Sequence, residues 1–148
     1  MPNPYLDFPG DYNLNKIEII TAAGEVLPLR MGMIVELNVF EDIESSALTG
    51  SLVMIDSSNI ISNAPLQGNE RLVFKLSTPV SEYDDRVAID ASQETGYPFH
   101  IYAITKRAIQ TETLSSYTIK FCSRELLRNT RTRVSRAYDG EVHQAAIK

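Results

Sequence analysis

The run Gly50-Ser51-Leu52-Val53-Met54-Ile55-Asp56 passes through Ser57-Ser58-Asn59-Ile60-Ile61, Pro65 and Gly68 to Arg71-Leu72-Val73-Phe74-Lys75-Leu76. Two apolar strands flank a polar connection. The first stops at Asp56-Ser57-Ser58, residue types that bond their own backbone and favour turns and helix starts. Asn59-Ile60-Ile61 reads as one helical turn laid over the end of a sheet. Pro65 and Gly68 punctuate the return. In the second strand Leu72, Phe74 and Leu76 share one face and Val73 and Lys75 the other, the period-two pattern of a half-buried strand. The unit is a wide crossover, not a tight hairpin. It carries no nucleophile, metal cluster or phosphate loop.

Working toward the N-terminus, Met31 to Ile43 reads as a strand whose uniformly apolar set, Val35, Leu37 and Val39, should face the core. Lys16 to Ala22 and Val26 to Leu29 form a hairpin about Ala23-Gly24-Glu25, where Gly24 is free to take positive φ. Residues 1–13 carry Pro2, Pro4 and Pro9 among Tyr5, Leu6, Phe8 and Tyr12. They read either as a disordered tail or as an extended arm along a surface. This stretch lacks the basic start and apolar core of a signal peptide.

Toward the C-terminus, Val80 to Thr95 is a long acidic stretch with a short edge strand at Val87-Ala88-Ile89. Phe99 to Ile109 is a strand, with Phe99, Ile101 and Ala103 opposite His100, Tyr102 and Ile104, apolar enough on both faces to be covered on both sides. Leu114 to Cys122 returns with Tyr117, Ile119 and Phe121 on one face. At Ser123 the pattern becomes helical. Ser123 is a favoured N-cap and Glu125 suits the first turn. The helix should run to about Tyr138, with Leu126, Leu127, Thr130, Val134, Ala137 and Tyr138 on its less polar side. Asp139-Gly140 ends it. Residues 139–148 read as the start of a following segment that the chain does not complete.

Composition narrows the function classes. A chain of 148 residues with 43% hydrophobic and 22% charged residues makes one globular domain with a real core. Its longest apolar runs are too short for a membrane helix, so no membrane insertion is expected. Cys122 is the single cysteine, which rules out an intrachain disulfide. The net charge of −5 is unevenly spread. Residues 1–122 hold 8 basic and 16 acidic side chains, and residues 123–148 hold 6 and 3. An acidic body with a basic end does not resemble a nucleic-acid binder. It suggests contact with an acidic neighbour.

Chemistry-bearing clusters are scarce. His100 and His143 are the two histidines, and His100 on an apolar strand reads as a core residue before it reads as a base. No Cys/His spacing suits zinc. The Glu82, Asp84 and Asp85 cluster lacks a calcium loop's spacing. We expect no catalytic residue, cofactor or metal. Two charged features remain. Glu41, Asp42 and Glu44 form an acidic loop, either a solvated turn or half of an ion-pair contact. Arg124, Arg128, Arg131, Arg133 and Arg136 stud the helix and suit a protein-facing or solvated basic surface. Together they are the candidate subunit-interface residues.

The order and spacing of several short runs carry a resemblance. Phe40-Glu41-Asp42-Ile43, Leu48 to Ser57, Pro65 to Leu72 and Phe74 to Pro79 look like the first tube domain of the baseplate hub protein of contractile-tailed phages, related to type VI secretion spike proteins. Phe121 to Glu125 and Arg133 to Gly140 are similar to the helix that follows that barrel. The resemblance spans roughly residues 15–147. It implies a mainly β fold: an antiparallel barrel or sandwich of about six or seven strands, tail-tube-like, at residues 14–138 with a flanking C-terminal helix. It implies a virion structural protein of the tail baseplate, assembled in the host cytoplasm. Such a chain forms a trimer that joins the hexameric tail tube to the trimeric central spike. Expected partners are further copies of the chain, the spike protein, the tube or tube-initiator protein and baseplate wedge proteins, with DNA passing through and not specifically bound. The alternative is a small β-barrel module gripping a peptide or glycan with Tyr83, Tyr97 and Tyr102. A third reading, an enzyme, would need two carboxylates of the 82–94 loop in contrasting environments.

Overall fold

The structure, a computed structural model, describes residues 12–57, 60, 66–77, 87–111 and 114–133. The 1–11 part of the arm, most of the helical turn about Ile60, the Glu82–Asp85 cluster, Tyr83, Arg136 and the 139–148 segment lie outside these residues.

The described chain is mainly β, antiparallel throughout, with one C-terminal helix. Its strands are β1 (Asn13–Ile20), β2 (Val26–Pro28), β3 (Ile34–Phe40), β4 (Thr49–Asp56), β5 (Arg71–Ser77), β6 (Val87–Asp90), β7 (Phe99–Thr111) and β8 (Leu114–Cys122). They form one sheet in the order β2-β1-β5-β7-β8-β4-β3, with β6 beside β5. The hydrogen-bonded path does not close into a barrel. Instead the sheet curls, so that Leu14, Leu76 and Ile89 line one groove with Ile34 and Leu37 from its far end. That arrangement is sandwich-like. The short segments 26–28 and 87–90 both pair as strands, which raises the described total to eight.

The crossover is as wide as its sequence suggests, because β7 and β8 lie between β4 and β5. At its start the Ile60 N–H donates to Asp56 Oδ2 at 2.7 Å. The buried Asp56 carboxylate also accepts from the Tyr117 hydroxyl at 3.2 Å. At its end the buried Glu70 carboxylate takes the N–H groups of Gln67 and Gly68, one on each oxygen, both at 2.7 Å. These carboxylates satisfy backbone donors that a buried loop end would otherwise orphan.

Alternation in β4, β5 and β8 puts Leu52, Met54, Leu72, Phe74, Tyr117, Ile119 and Phe121 in the core. Phe74 and Phe99 stack with centroids 5.4 Å apart, and Phe121 tilts against Phe99 at 5.0 Å. Across from Phe121 stands Gly50. A Cβ built there would overlap the Phe121 ring and the Asn38 carbonyl oxygen of β3. Glycine is therefore required by close approach.

Three expectations fail locally. Residues 31–33 form a 3-10 turn, so the strand expected from Met31 begins at Ile34 and ends at Phe40. A register shift between Ile34 and Glu36 turns Val35 outward, to 59% exposure, and Ile34 packs on the core in its place. A second shift between Ile101 and Ala103 brings Ile104 onto the core side and leaves Tyr102 exposed. Strand β7 is thus not covered on both sides. Bulges insert one residue and flip the parity beyond them.

The helix, α1 (Arg124–Arg131), ends earlier than its pattern implies: Thr132 is already extended, with φ −106° and ψ 113°. No helical residue is buried, Leu126 and Leu127 being half-buried. A short helix with so little packing has nothing to extend it. Ser123 is the N-cap and Glu125 lies in the first turn, as expected. The Ser123 hydroxyl makes no capping bond to a helix N–H; it accepts from the Leu48 N–H at 3.1 Å and engages the Glu125 carboxylate.

The Gly50 approach gives a direct test. Gly50→Ala should lower stability by about 3 kcal/mol, as overpacking against backbone and a fixed ring does. Urea unfolding should show a lower midpoint with an unchanged slope. A midpoint equal to the parent's would mean that the strands separate without penalty.

Candidate interaction site

Strands β6 and β7 are one strand interrupted. Lys75 pairs with Asp90 and Leu72 with Phe99, so three steps along β5 face nine on the other side, an excess of six residues. The excess forms an excursion at residues 91–98. Asp90 Oδ1 accepts from the Ser92 N–H at 3.0 Å, and the Thr95 hydroxyl lies 3.0 Å from the Ser92 carbonyl. The Gly96 N–H closes on Gln93 O at 3.1 Å, with Gly96 at φ +77°. The Ser92 hydroxyl and N–H and the Lys75 ammonium hold the Asp90 carboxyl below its usual range. Ser92, Gln93 and Glu94 then share a groove with Ile20 and Val73 on the outer face of the sheet.

Behind this excursion, three basic side chains from three elements line one pocket of about 430 Å³. They are Arg71 of β5, His100 of β7 and Arg124 of α1, with Gln93, Gly96 and Pro98 at the rim. Arg71 and His100 are direct partners across the ladder. His100 thus points away from the core, contrary to its expected place there. Burial, then the neighbouring Arg71 and Arg124, hold its pKa below the usual 6.5, with Glu125 opposing. Among the described residues neither guanidinium lies within 4.0 Å of a carboxylate oxygen.

The expected interface residues divide. Glu41 lines a cleft of about 540 Å³ with Tyr97, Phe99, Arg124 and Glu125. Leu48 and Ser123, which also line it, are joined by the Ser123 N–H to Leu48 O bond at 2.8 Å and by the Leu48 N–H to the Ser123 hydroxyl. Asp42 builds its own turn, accepting the Glu44 N–H at 2.9 Å. Glu44 is exposed, as are Arg128, Arg131 and Arg133. The acidic loop and the start of the basic helix therefore meet within one chain along a cleft, while the later arginines point into solvent. Glu125 is held below the usual carboxylate range by its own backbone N–H, the Ser123 hydroxyl and nearby Arg128 and Arg124. Tyr97 lines the cleft, whereas Tyr102 stands exposed on β7 and does not.

An apolar edge was missed in the sequence. Among the described residues, strand β3 pairs on one side alone, with β4. Along its outer side Tyr12, Met31 and Val35 line a groove with Leu14, Leu76 and Ile89, and Phe40 is exposed at the strand's end. The bulge at Val35 created this patch, and no periodicity announces a bulge. Among the described residues no group of three His, Cys, Asp or Glu side chains is placed to hold a metal. No described helix is long and apolar enough to cross a membrane.

Because the folded chain releases the His100 proton more readily than the unfolded chain, stability should be complete above pH 6.5 and fall as pH drops through the lowered value. The urea midpoint should decrease between about pH 8 and about pH 5.5, and His100→Gln should remove much of that decrease. An unchanged slope with pH in the variant would place the titration elsewhere.

Compared with protein-family models, with curated proteins and with solved structures, the chain matches none.

Proposed function

We propose that the chain is a structural component of a phage tail baseplate hub, forming with further copies a ring between the hexameric tail tube and the trimeric central spike. The observation that supports it most is the open, curled antiparallel sheet whose β3 edge has no strand partner among the described residues and is lined by exposed Val35, Met31 and Tyr12. An unpaired strand edge with apolar side chains is a surface that asks to be covered. The acidic excess of residues 1–122 suits the wall of a conduit, since carboxylates repel the phosphates of passing DNA. The exposed Arg128 and Arg131 suit a neighbour's acidic rim, where ion pairs steer association more than they supply affinity. The peptide- or glycan-binding alternative loses ground because Tyr97 and Tyr102 do not share the end cleft.

Light scattering of the chain, alone and with its spike protein, should give a trimer or a ring. Val35→Glu should weaken that assembly about tenfold or more, while Arg128→Glu with Arg131→Glu should act mainly at low salt. A chain that stays monomeric with every tail protein would overturn the reading.

A further inference from the structure

We propose that Arg71, His100 and Arg124 form a binding pocket for a tetrahedral oxyanion of the phosphate class. Two guanidiniums and an imidazole reach one pocket from β5, β7 and α1. Three cationic or potentially cationic groups this close repel one another unless something negative lies between them. The chain has carboxylates to spare, with a net charge of −5. Yet among the described residues none approaches either guanidinium within 4.0 Å. Glu125, the nearby carboxylate, acts on Arg124 and His100 through space, but it bonds its own N–H and the Ser123 hydroxyl and offsets only one of the two guanidinium charges. The pocket is therefore left positive by arrangement, in an otherwise acidic body.

The donor count favours phosphate over carboxylate. One bidentate guanidinium satisfies both oxygens of a carboxylate. Two guanidiniums and an imidazole offer more donors than a carboxylate accepts, and a phosphoryl group presents three terminal oxygens. The Gln93 side chain, at the rim, can add a neutral donor. A volume of about 430 Å³ also leaves space for the organic part of a phosphomonoester. Binding would in turn raise the His100 pKa, since a bound anion and the imidazolium favour one another reciprocally. Arg71 on β5 and Arg124 and Glu125 on α1 are the charged groups acting on that ring.

The test is an NMR titration of the full chain, following the His100 imidazole, which His143→Gln assigns. Sulfate, which does not titrate near neutrality, serves beside inorganic phosphate and glycerol phosphate. We expect saturable shifts with sulfate and phosphate and a raised His100 pKa. Arg71→Gln and Arg124→Gln should each weaken binding about tenfold or more, and Arg131→Gln should stay within about twofold. Tighter binding of glycerol phosphate would identify a phosphomonoester site, and equal binding an inorganic-anion site. Arg124→Gln sits on the exposed helix and keeps the test valid if Arg71→Gln disturbs the sheet. Non-saturating shifts, equal weakening by Arg131→Gln, or acetate or an acidic peptide binding as well as phosphate would overturn the proposal.

Discussion

Phe121 lies across Gly50, and the two halves of the sheet meet at that contact. The ring reaches from β8 to Phe99 of β7 and, edge-on at 6.0 Å, to Phe74 of β5. Gly50 belongs to β4, which carries β3 on its far side. One residue without a side chain thus lets an aromatic group couple four strands in one packed cluster. Aromatic pairs of this geometry add about 0.5–1.5 kcal/mol each beyond the area they bury.

Sequence periodicity was enough to read the core wherever a strand runs without interruption. Leu52 and Met54, Leu72 and Phe74, and Tyr117, Ile119 and Phe121 alternate inward as their spacing predicts. It failed where the backbone gains a residue. Val35 and Tyr102 sit at or beside register shifts, and a shift has no side-chain signature of its own. The early end of α1 was hidden for a related reason: its arginine-rich pattern is compatible with helix, but length is decided by packing that the sequence does not display. Of the charged candidates, the acidic loop and the helix arginines were plain from composition. The Arg71–His100–Arg124 grouping was not, because it depends on a strand order in which residues 71 and 100 become neighbours and on the excursion at residues 91–98 that lies beside them.

The polar groups of the interior share a common use. Asp56 and Glu70 are almost fully buried; Glu70 gives both oxygens to backbone N–H groups at one end of the crossover, and Asp56 takes the Ile60 N–H and the Tyr117 hydroxyl at the other. Burial and the adjacent Asp56 push the Tyr117 hydroxyl far above its usual pKa, so it remains a donor at every physiological pH. Cys122 is buried as well, and burial raises its thiol, which keeps it in the protonated, unreactive form. Buried titratable groups here serve the architecture.

The strand order also sets the sequence of events on the ribosome. Strands β4 and β5 are made first but become sheet neighbours of the β7–β8 hairpin, which is made after both. Until Cys122 has emerged, the β3–β4 hairpin and the β1–β2–β5 group have no shared partner and each presents an open edge. The hairpin enters between them as the closing piece. Non-local closure of this kind is slow and leaves strand edges exposed while synthesis proceeds. A ribosome stalled before the codons of β8 would therefore hold two adhesive half-sheets, and the nascent chain depends on the speed with which the β7–β8 hairpin arrives.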